Sequence, residues 1–393
     1  MKLFTKLFCY AGYILFRPIW WLERLLPRSK KIWIFGAWYG QKYSDNSKWL
    51  YEYVLEHEPA IKAVWITKNR SVYEKLCAQK KSVCMSTSLS GAWCCLRAGY
   101  AFFSSTQEDV NKFFINGVRQ IWLWHGMPLK KIGYDDNLVA VSEWKQRLAD
   151  FLAPYTVVRP YCTCTSADFF IPFLKTAFRL KEERIWKTGL PRCDVFFSGK
   201  KSLFVRKVQK QFSNARVFLY LPTFRMSSRM DGTPFSPFQA EFGFEEQEFI
   251  QFLQKENIIM LYKPHFVDSA VDVAIHSDRF RFIKENEFED LYVLLNSVDA
   301  LITDYSSVYF DFLASRKPIF LLPFDYVEYT RNSRGHYFDM YRELHGAVCN
   351  SWSDFYSSVV KIKTVDLETD RTKFAEYMEG MSCKKIVMRI TGE

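Results

Sequence analysis

The sequence predicts an α/β protein built on two doubly wound parallel sheets. Three observations carry that prediction. Short continuous apolar runs alternate with segments of helical periodicity along most of the 393 residues, as strands buried on both faces of a parallel sheet require. The alternation breaks in the polar, basic stretch 198–214 and then resumes. The length accommodates two or three cores at about 150 residues per domain. With 49% hydrophobic and 25% charged residues, the composition is that of a folded chain rather than a fibrous or disordered one.

The elements follow in order. Residues 1–31 hold seven lysines and arginines against Glu23 alone, so +6 of the net +11 lies there. Trp20, Trp21, Leu22, Leu25 and Leu26 stand among those cations, a mixture that predicts a helix lying in an anionic membrane surface. The longest uninterrupted apolar run, 7–16, is short of the roughly 20 residues a spanning helix needs, and Arg17-Pro18 closes it. A signal peptide fits less well, because Trp20-Trp21 stand where a small-residue cleavage site belongs. A helix packed on the body is the plain alternative.

Residues 31–38 (KIWIFGAW) then read as strand and loop, and 46–56 as a helix with Trp49, Leu50, Tyr53 and Val54 on one face. Strands follow at 63–67, 83–85, 100–104, 121–124, 161–165 and 185–188, and the second series at 217–221, 258–262, 280–283, 300–303 and 319–322. The expected organisation is a basic surface segment at 1–30, one domain at 31–205 and a second at 206–393. The Ser-, Gly- and Pro-containing stretch 226–237 reads as a long surface loop. Ten cysteines without a CxxC pair point to reduced thiols packing as small apolar groups.

Five clusters follow strands, where an open parallel sheet presents its ligand loops. In 124–134 (WHGMPLKKIGY) His125 ends a strand beside Lys130 and Lys131, so its imidazole is either a base near neutral pH or a strand cap. In 262–265 (YKPH) Pro264 keeps Lys263 and His265 on extended backbone; a solvated turn is the alternative. In 303–311 (TDYSSVYFD) Ser306 and Ser307 precede a helix, where the same hydroxyl serves as N-cap or as part of an anion site. Arg225 offers a guanidinium suited to phosphate or to solvent, and 331–339 places Arg334, Gly335 and His336 together. Walker, GxGxxG, HExxH and GxSxG motifs are absent, which argues against a nucleoside triphosphatase, a nicotinamide enzyme, a zincin and an α/β-hydrolase. No nucleic-acid motif appears, and much of the net positive charge lies in the leader.

Together, WHGMPLKKIGY (124–134), GLPRCD (189–194), PTFR (222–225), YKPH (262–265), TDYSSVYFD (303–311) and RGHYFD (334–339) resemble the teichoic-acid glycerophosphotransferases that use CDP-glycerol, in the same order along roughly 120–340. The resemblance implies a GT-B arrangement of two Rossmann-like domains, and transfer of glycerol phosphate from CDP-glycerol to a lipid-linked glycan or growing polymer, with release of CMP. It implies peripheral attachment, here to the cytoplasmic face of the membrane. It makes His125 the base on the acceptor hydroxyl and His265 a second essential imidazole beside the donor phosphates. Arg225, Ser306 and Ser307 would hold the diphosphate, with Lys130, Lys263, Thr303, Asp311 and Arg334 as further substrate contacts. No cofactor is required on this reading, although a divalent cation near Asp304 and Asp311 stays open. The chain departs from the family's pattern at Met127, where Thr is commoner, and at Phe266. Transfer from CDP-ribitol, or of a sugar by a GT-B glycosyltransferase, are the alternatives. The length, with no further domain before the leader, favours single-unit or short-chain addition by analogy with shorter relatives.

Overall fold

A computed structural model of the chain describes residues 17–18, 20–136, 144, 148, 151–213, 215–223, 225, 235–264, 275–332, 335–361 and 367–392. Among them, thirteen strands form two sheets. The first comprises β1 (Ser29–Gly36), β2 (Lys62–Thr67), β3 (Val83–Met85), β4 (Ala98–Phe103), β5 (Arg119–Trp122), β6 (Cys162–Thr165) and β7 (Ile185–Lys187) in the order β3-β2-β1-β4-β5-β6-β7. The second comprises β8 (Arg216–Tyr220), β9 (Ile258–Tyr262), β10 (Phe280–Phe282), β11 (Ala300–Thr303), β12 (Ile319–Leu321) and β13 (Ala347–Val348) in the order β10-β9-β8-β11-β12-β13. Every pairing is parallel. The central strands are apolar on both faces: all five residues of β9 and all four of β11 are buried. The fold is thus the expected pair of doubly wound sheets. In each, the order reverses between two neighbours, β1 and β4 in the first and β8 and β11 in the second, and crevices at such points receive ligands.

Three boundaries differ from expectation, each for a packing reason. β1 begins at Ser29, so the leader is not a detachable unit through residue 30. Its described part is tied down: Trp20 packs with Ala153 and Tyr155, Glu23 is buried and accepts from the Asn116 amide at 3.2 Å, and Arg28 donates to the Cys95 carbonyl at 2.8 Å. Burial pushes the Glu23 carboxyl up to about 8, against the Asn116 amide and Arg28. The stretch read as a break contains the helix Leu203–Gln211, capped by Ser202 and buried through Val205 and Val208. Its polar face hid the periodicity of two apolar positions. The second domain is also not continuous to the C-terminus. The helix Ser382–Thr391 packs on the helix Asp45–His57, and Asp194 accepts from the Ser382 and Cys383 amides at 2.9 Å each. The chain therefore crosses back onto the first sheet, joining the two halves twice.

Candidate active site

The loop leaving β5 meets the loop leaving β11 at Gly126, and the segment after it meets the chain that follows β12. The Gly126 φ of +151° is one that side chains rarely adopt, and a Cβ there would lie 2.4 Å from Ser307 Oγ, 2.9 Å from Ser307 Cβ and 3.4 Å from an Arg192 nitrogen. Only glycine brings the first sheet's His-Gly turn this close to the second sheet's Ser-Ser turn.

His125 is half-buried between indoles, its ring 4.0 Å from Trp124 and 5.5 Å from Trp38. Its Nδ1 lies 3.1 Å from the Ser104 carbonyl. A carbonyl only accepts, so Nδ1 carries a proton, and in the neutral ring the lone pair is on Nε2. The carbonyl is itself fixed, because Asp109 accepts from the Ser104, Ser105 and Tyr39 amides at 2.9, 2.7 and 2.6 Å. Met127, the departure from the family's pattern, points inward: it is buried, and its sulfur accepts from Thr165 at 3.8 Å.

On the facing side, Ser306 and Ser307 are partly exposed at the start of the short helix Val308–Phe312. Ser306 Oγ accepts weakly from the Val308 amide at 3.4 Å, and Ser307 makes no capping bond. The segment around Lys130 pairs with the one around His336 across the two halves: Lys131 donates to the Gly335 carbonyl at 3.0 Å and Tyr337 to the Leu129 carbonyl at 2.9 Å. The Lys130 ammonium lies 5.0 Å from the centre of the Tyr329 ring. His336 sits among Tyr305, Tyr326 and Tyr329, with neither buried ring nitrogen hydrogen-bonded to protein. Burial, then Lys130, pushes its pKa down to about 4, so it is neutral at pH 7. Lys263 is also held below its ordinary range, by burial and by Lys42 against Glu285.

Other expected site residues have different surroundings. Arg225 is largely buried and donates to Asp304 at 2.9 Å and bidentately to Asp325 at 2.8 Å, with a further bond to the Thr223 carbonyl. Burial opposes its charge, but the two carboxylates outweigh burial and raise its pKa. The guanidinium is committed to the loops after β8, β11 and β12 rather than open for bidentate phosphate contact. Thr303 is buried and donates to the Leu221 carbonyl at 2.7 Å. Asp311 is wholly buried, 2.6 Å from Arg192 and 2.7 Å from the Tyr292 hydroxyl. Thr303 and Asp311, expected as substrate contacts, are thus both buried and bonded to protein groups. Asp304 and Asp311, named for a divalent cation, do not fit one, because each is already bound by a guanidinium. His265, Arg334, Phe266 and residues 1–16 lie outside the described residues.

Sequence reasoning missed the group behind the His-Gly turn: Asp45, Asn46, Ser104, Asp109 and Arg192. Their signals were present in SDNS (44–47) before a helix, SS (104–105) after a strand, and the Arg of GLPRCD. None is a type or spacing that singles out catalysis.

A family model described as CDP-Glycerol:Poly(glycerophosphate) glycerophosphotransferase matches residues 20–392. The chain is 27% identical over 379 residues to a teichoic acid glycerol-phosphate transferase of Staphylococcus aureus, covering 93% of this chain and 94% of that one. It is 25% identical over 388 residues to a teichoic acid poly(glycerol phosphate) polymerase of Bacillus spizizenii, with 94% of each covered. The solved structure of the wall teichoic acid polymerase TagF superposes with a TM-score of 0.74 at 21% identity, over 99% of this chain and 97% of that one. At that identity the likeness speaks for the GT-B-like fold.

Proposed function

Because the chain belongs to the CDP-glycerol:poly(glycerophosphate) glycerophosphotransferase family, we propose that it transfers glycerol phosphate from CDP-glycerol to a hydroxyl of a teichoic-acid chain at the turn where Gly126 meets Ser307. The acceptor oxygen attacks the glycerol-bearing phosphorus, the bond from that phosphorus to the CMP oxygen breaks, and CMP leaves with the electron pair. A phosphodiester to glycerol remains. The hydroxyl proton passes to Nε2 of His125, the nitrogen left basic by the Nδ1 bond to Ser104. Ser306, Ser307 and Lys130 are the donor contacts best supported by their exposure and position, since a phosphate carries charge that hydroxyls and an ammonium stabilise. The carrying observation is the contact of the two halves at Gly126, which brings the turn that follows His125 against the second sheet's Ser-Ser turn. Most of the rate in such a reaction comes from positioning and charge stabilisation.

The acceptor is lipid-linked, and the enzyme works at the cytoplasmic membrane face. Supporting this, Trp21, Leu22 and Leu25 are exposed, as are Trp144, Leu148, Phe151 and Leu152. Arg17 joins the two groups, its guanidinium 3.9 Å from the Phe151 ring centre. Clustered aromatics and cations of this kind suit an anionic headgroup layer. No helix among the described residues is long and apolar enough to cross a membrane.

Incubating the full chain with CDP-glycerol, CDP-ribitol or nucleotide sugars and a lipid-linked acceptor tests the reading. One CMP released from CDP-glycerol per phosphodiester formed is expected. Transfer from UDP- or GDP-sugars instead would overturn it.

A further inference from the structure

The His125 turn is gripped from behind by a buried polar assembly. Asn46 Nδ2 donates to the carbonyls of Leu123 at 3.3 Å and Trp124 at 2.8 Å, the residues just before His125. Asn46 Oδ1 accepts from the Arg192 amide at 3.1 Å. Arg192 in turn bridges Asp45 at 2.7 Å and Asp311 at 2.6 Å, from opposite halves of the molecule. Asp45 also accepts from the Trp38 indole at 3.1 Å, and that indole lies against the His125 ring. Burying a guanidinium with two carboxylates is seldom the cheapest way to stabilise a fold, since apolar residues of similar volume often do as well.

Backbone strain gathers at the same place. Among the described residues, eight other than glycine have positive φ, and Trp38, Tyr39, Asp45 and Trp124 are four of them. Asp45 belongs to the assembly, Trp38 and Trp124 border the His125 ring, and Tyr39 follows Trp38 in the chain. Strained backbone persists where surrounding contacts over-determine it, and it clusters at functional sites.

We infer that Asn46, backed by Asp45 and Arg192, is a positioning residue that sets the direction of the His125 imidazole. This rests on reading His125 as the base. Asn46 touches neither substrate nor the reacting atoms; it fixes the two peptide groups that aim the ring, while Arg192 ties that aim to the helix following Ser307. A misplacement of about 1 Å at a reacting group costs on the order of 10²-fold in rate.

A double-mutant cycle on the full-length chain tests it, using Asn46→Ala, His125→Ala and the pair, with kcat for CMP release, KM for CDP-glycerol and the thermal midpoint measured for each. Asn46→Ala is expected to lower kcat about 10- to 100-fold with KM nearly unchanged, and to lower it less than about 2-fold when His125 is already alanine. A purely structural Asn46 would reduce the folded fraction, and hence kcat, equally in both backgrounds; that result overturns the inference, as does a loss confined to KM. Wild-type turnover by His125→Ala would instead take down the base reading on which the inference stands. Asn46→Leu guards against misfolding, because it nearly keeps the side-chain shape and removes the two amide donors without bringing a charge against the Leu123 and Trp124 carbonyls. It should show the same dependence on His125, and additive losses there would refute the proposal as firmly.

Discussion

Gly126→Ala is the smallest change that separates the two halves of the site. The new methyl would lie 2.4 Å from Ser307 Oγ and 2.9 Å from Ser307 Cβ, on backbone whose φ of +151° already disfavours a side chain. The unfavourable backbone region costs about 1–3 kcal/mol, and forcing a methyl into occupied space typically about another 1–3 kcal/mol. The variant either keeps its fold at a loss of about 2 kcal/mol or more, or relieves the clash by moving the turn away from Ser307. The first route lowers the thermal midpoint; the second displaces His125, so kcat should fall on the order of 10²-fold. Ser307→Gly removes both clashing atoms. Added to Gly126→Ala, it should therefore recover much of the lost stability while leaving activity low, since the Ser307 hydroxyl is gone. Steady-state CMP release and thermal unfolding of the three variants form the assay. Activity of Gly126→Ala within about 2-fold of wild type, at an unchanged midpoint, would refute the close packing of the two turns and the site built on it.

Arg225→Ala strands Asp304 and Asp325 in the interior, so it should cost stability, about 3–5 kcal/mol for a broken buried pair, before any question of donor affinity; chemical denaturation reads this, and a fully stable variant with weakened CDP-glycerol binding would reverse the assignment. His336 has a folded pKa of about 4 against an ordinary value of 6.5, so between these the unfolded chain binds more protons. Its contribution is therefore fully present above pH 6.5 and lost as pH falls toward and through 4. His336→Gln should flatten that part of the stability profile, and an unchanged slope would contradict its buried, neutral state. Deleting residues 1–16 should weaken sedimentation with anionic vesicles while the body stays folded, with binding that falls as salt rises because ions screen about 1 kcal/mol per cation. Deleting through residue 31 should instead unfold the first domain, because it removes Glu23, Arg28 and the start of β1. Normal folding of that longer deletion would show the leader to be separable after all.

The strands were legible because parallel sheets covered on both faces leave continuous apolar runs: residues 258–262 and 300–303 coincide with β9 and β11. β13, two half-buried residues, carried no such run. Helix Leu203–Gln211 was hidden by its polar face, and the return of the last helix to the first sheet rests on packing against helix Asp45–His57 and on the contacts at Asp194, both remote in sequence. At the site, His125, Ser306 and Ser307 were legible as polar residues at strand ends. The ion-pair partners of Arg225 and Asp311 were not legible, because residue type does not reveal partners 79 to 119 positions away in sequence. The converse holds for Asn46 and Arg192, whose importance lies in bonds to residues 77 and 146 positions distant.

The central claim, that His125 is the base acting on the acceptor at a site where the two sheets meet, is tested most directly by comparing the turnover of His125→Ala with its affinity for CDP-glycerol by calorimetry. Loss of a general base lowers turnover by about 10²–10⁴-fold and leaves donor affinity within a few-fold of wild type. Turnover near wild type, or a loss matched by an equal loss of CDP-glycerol affinity, would contradict it.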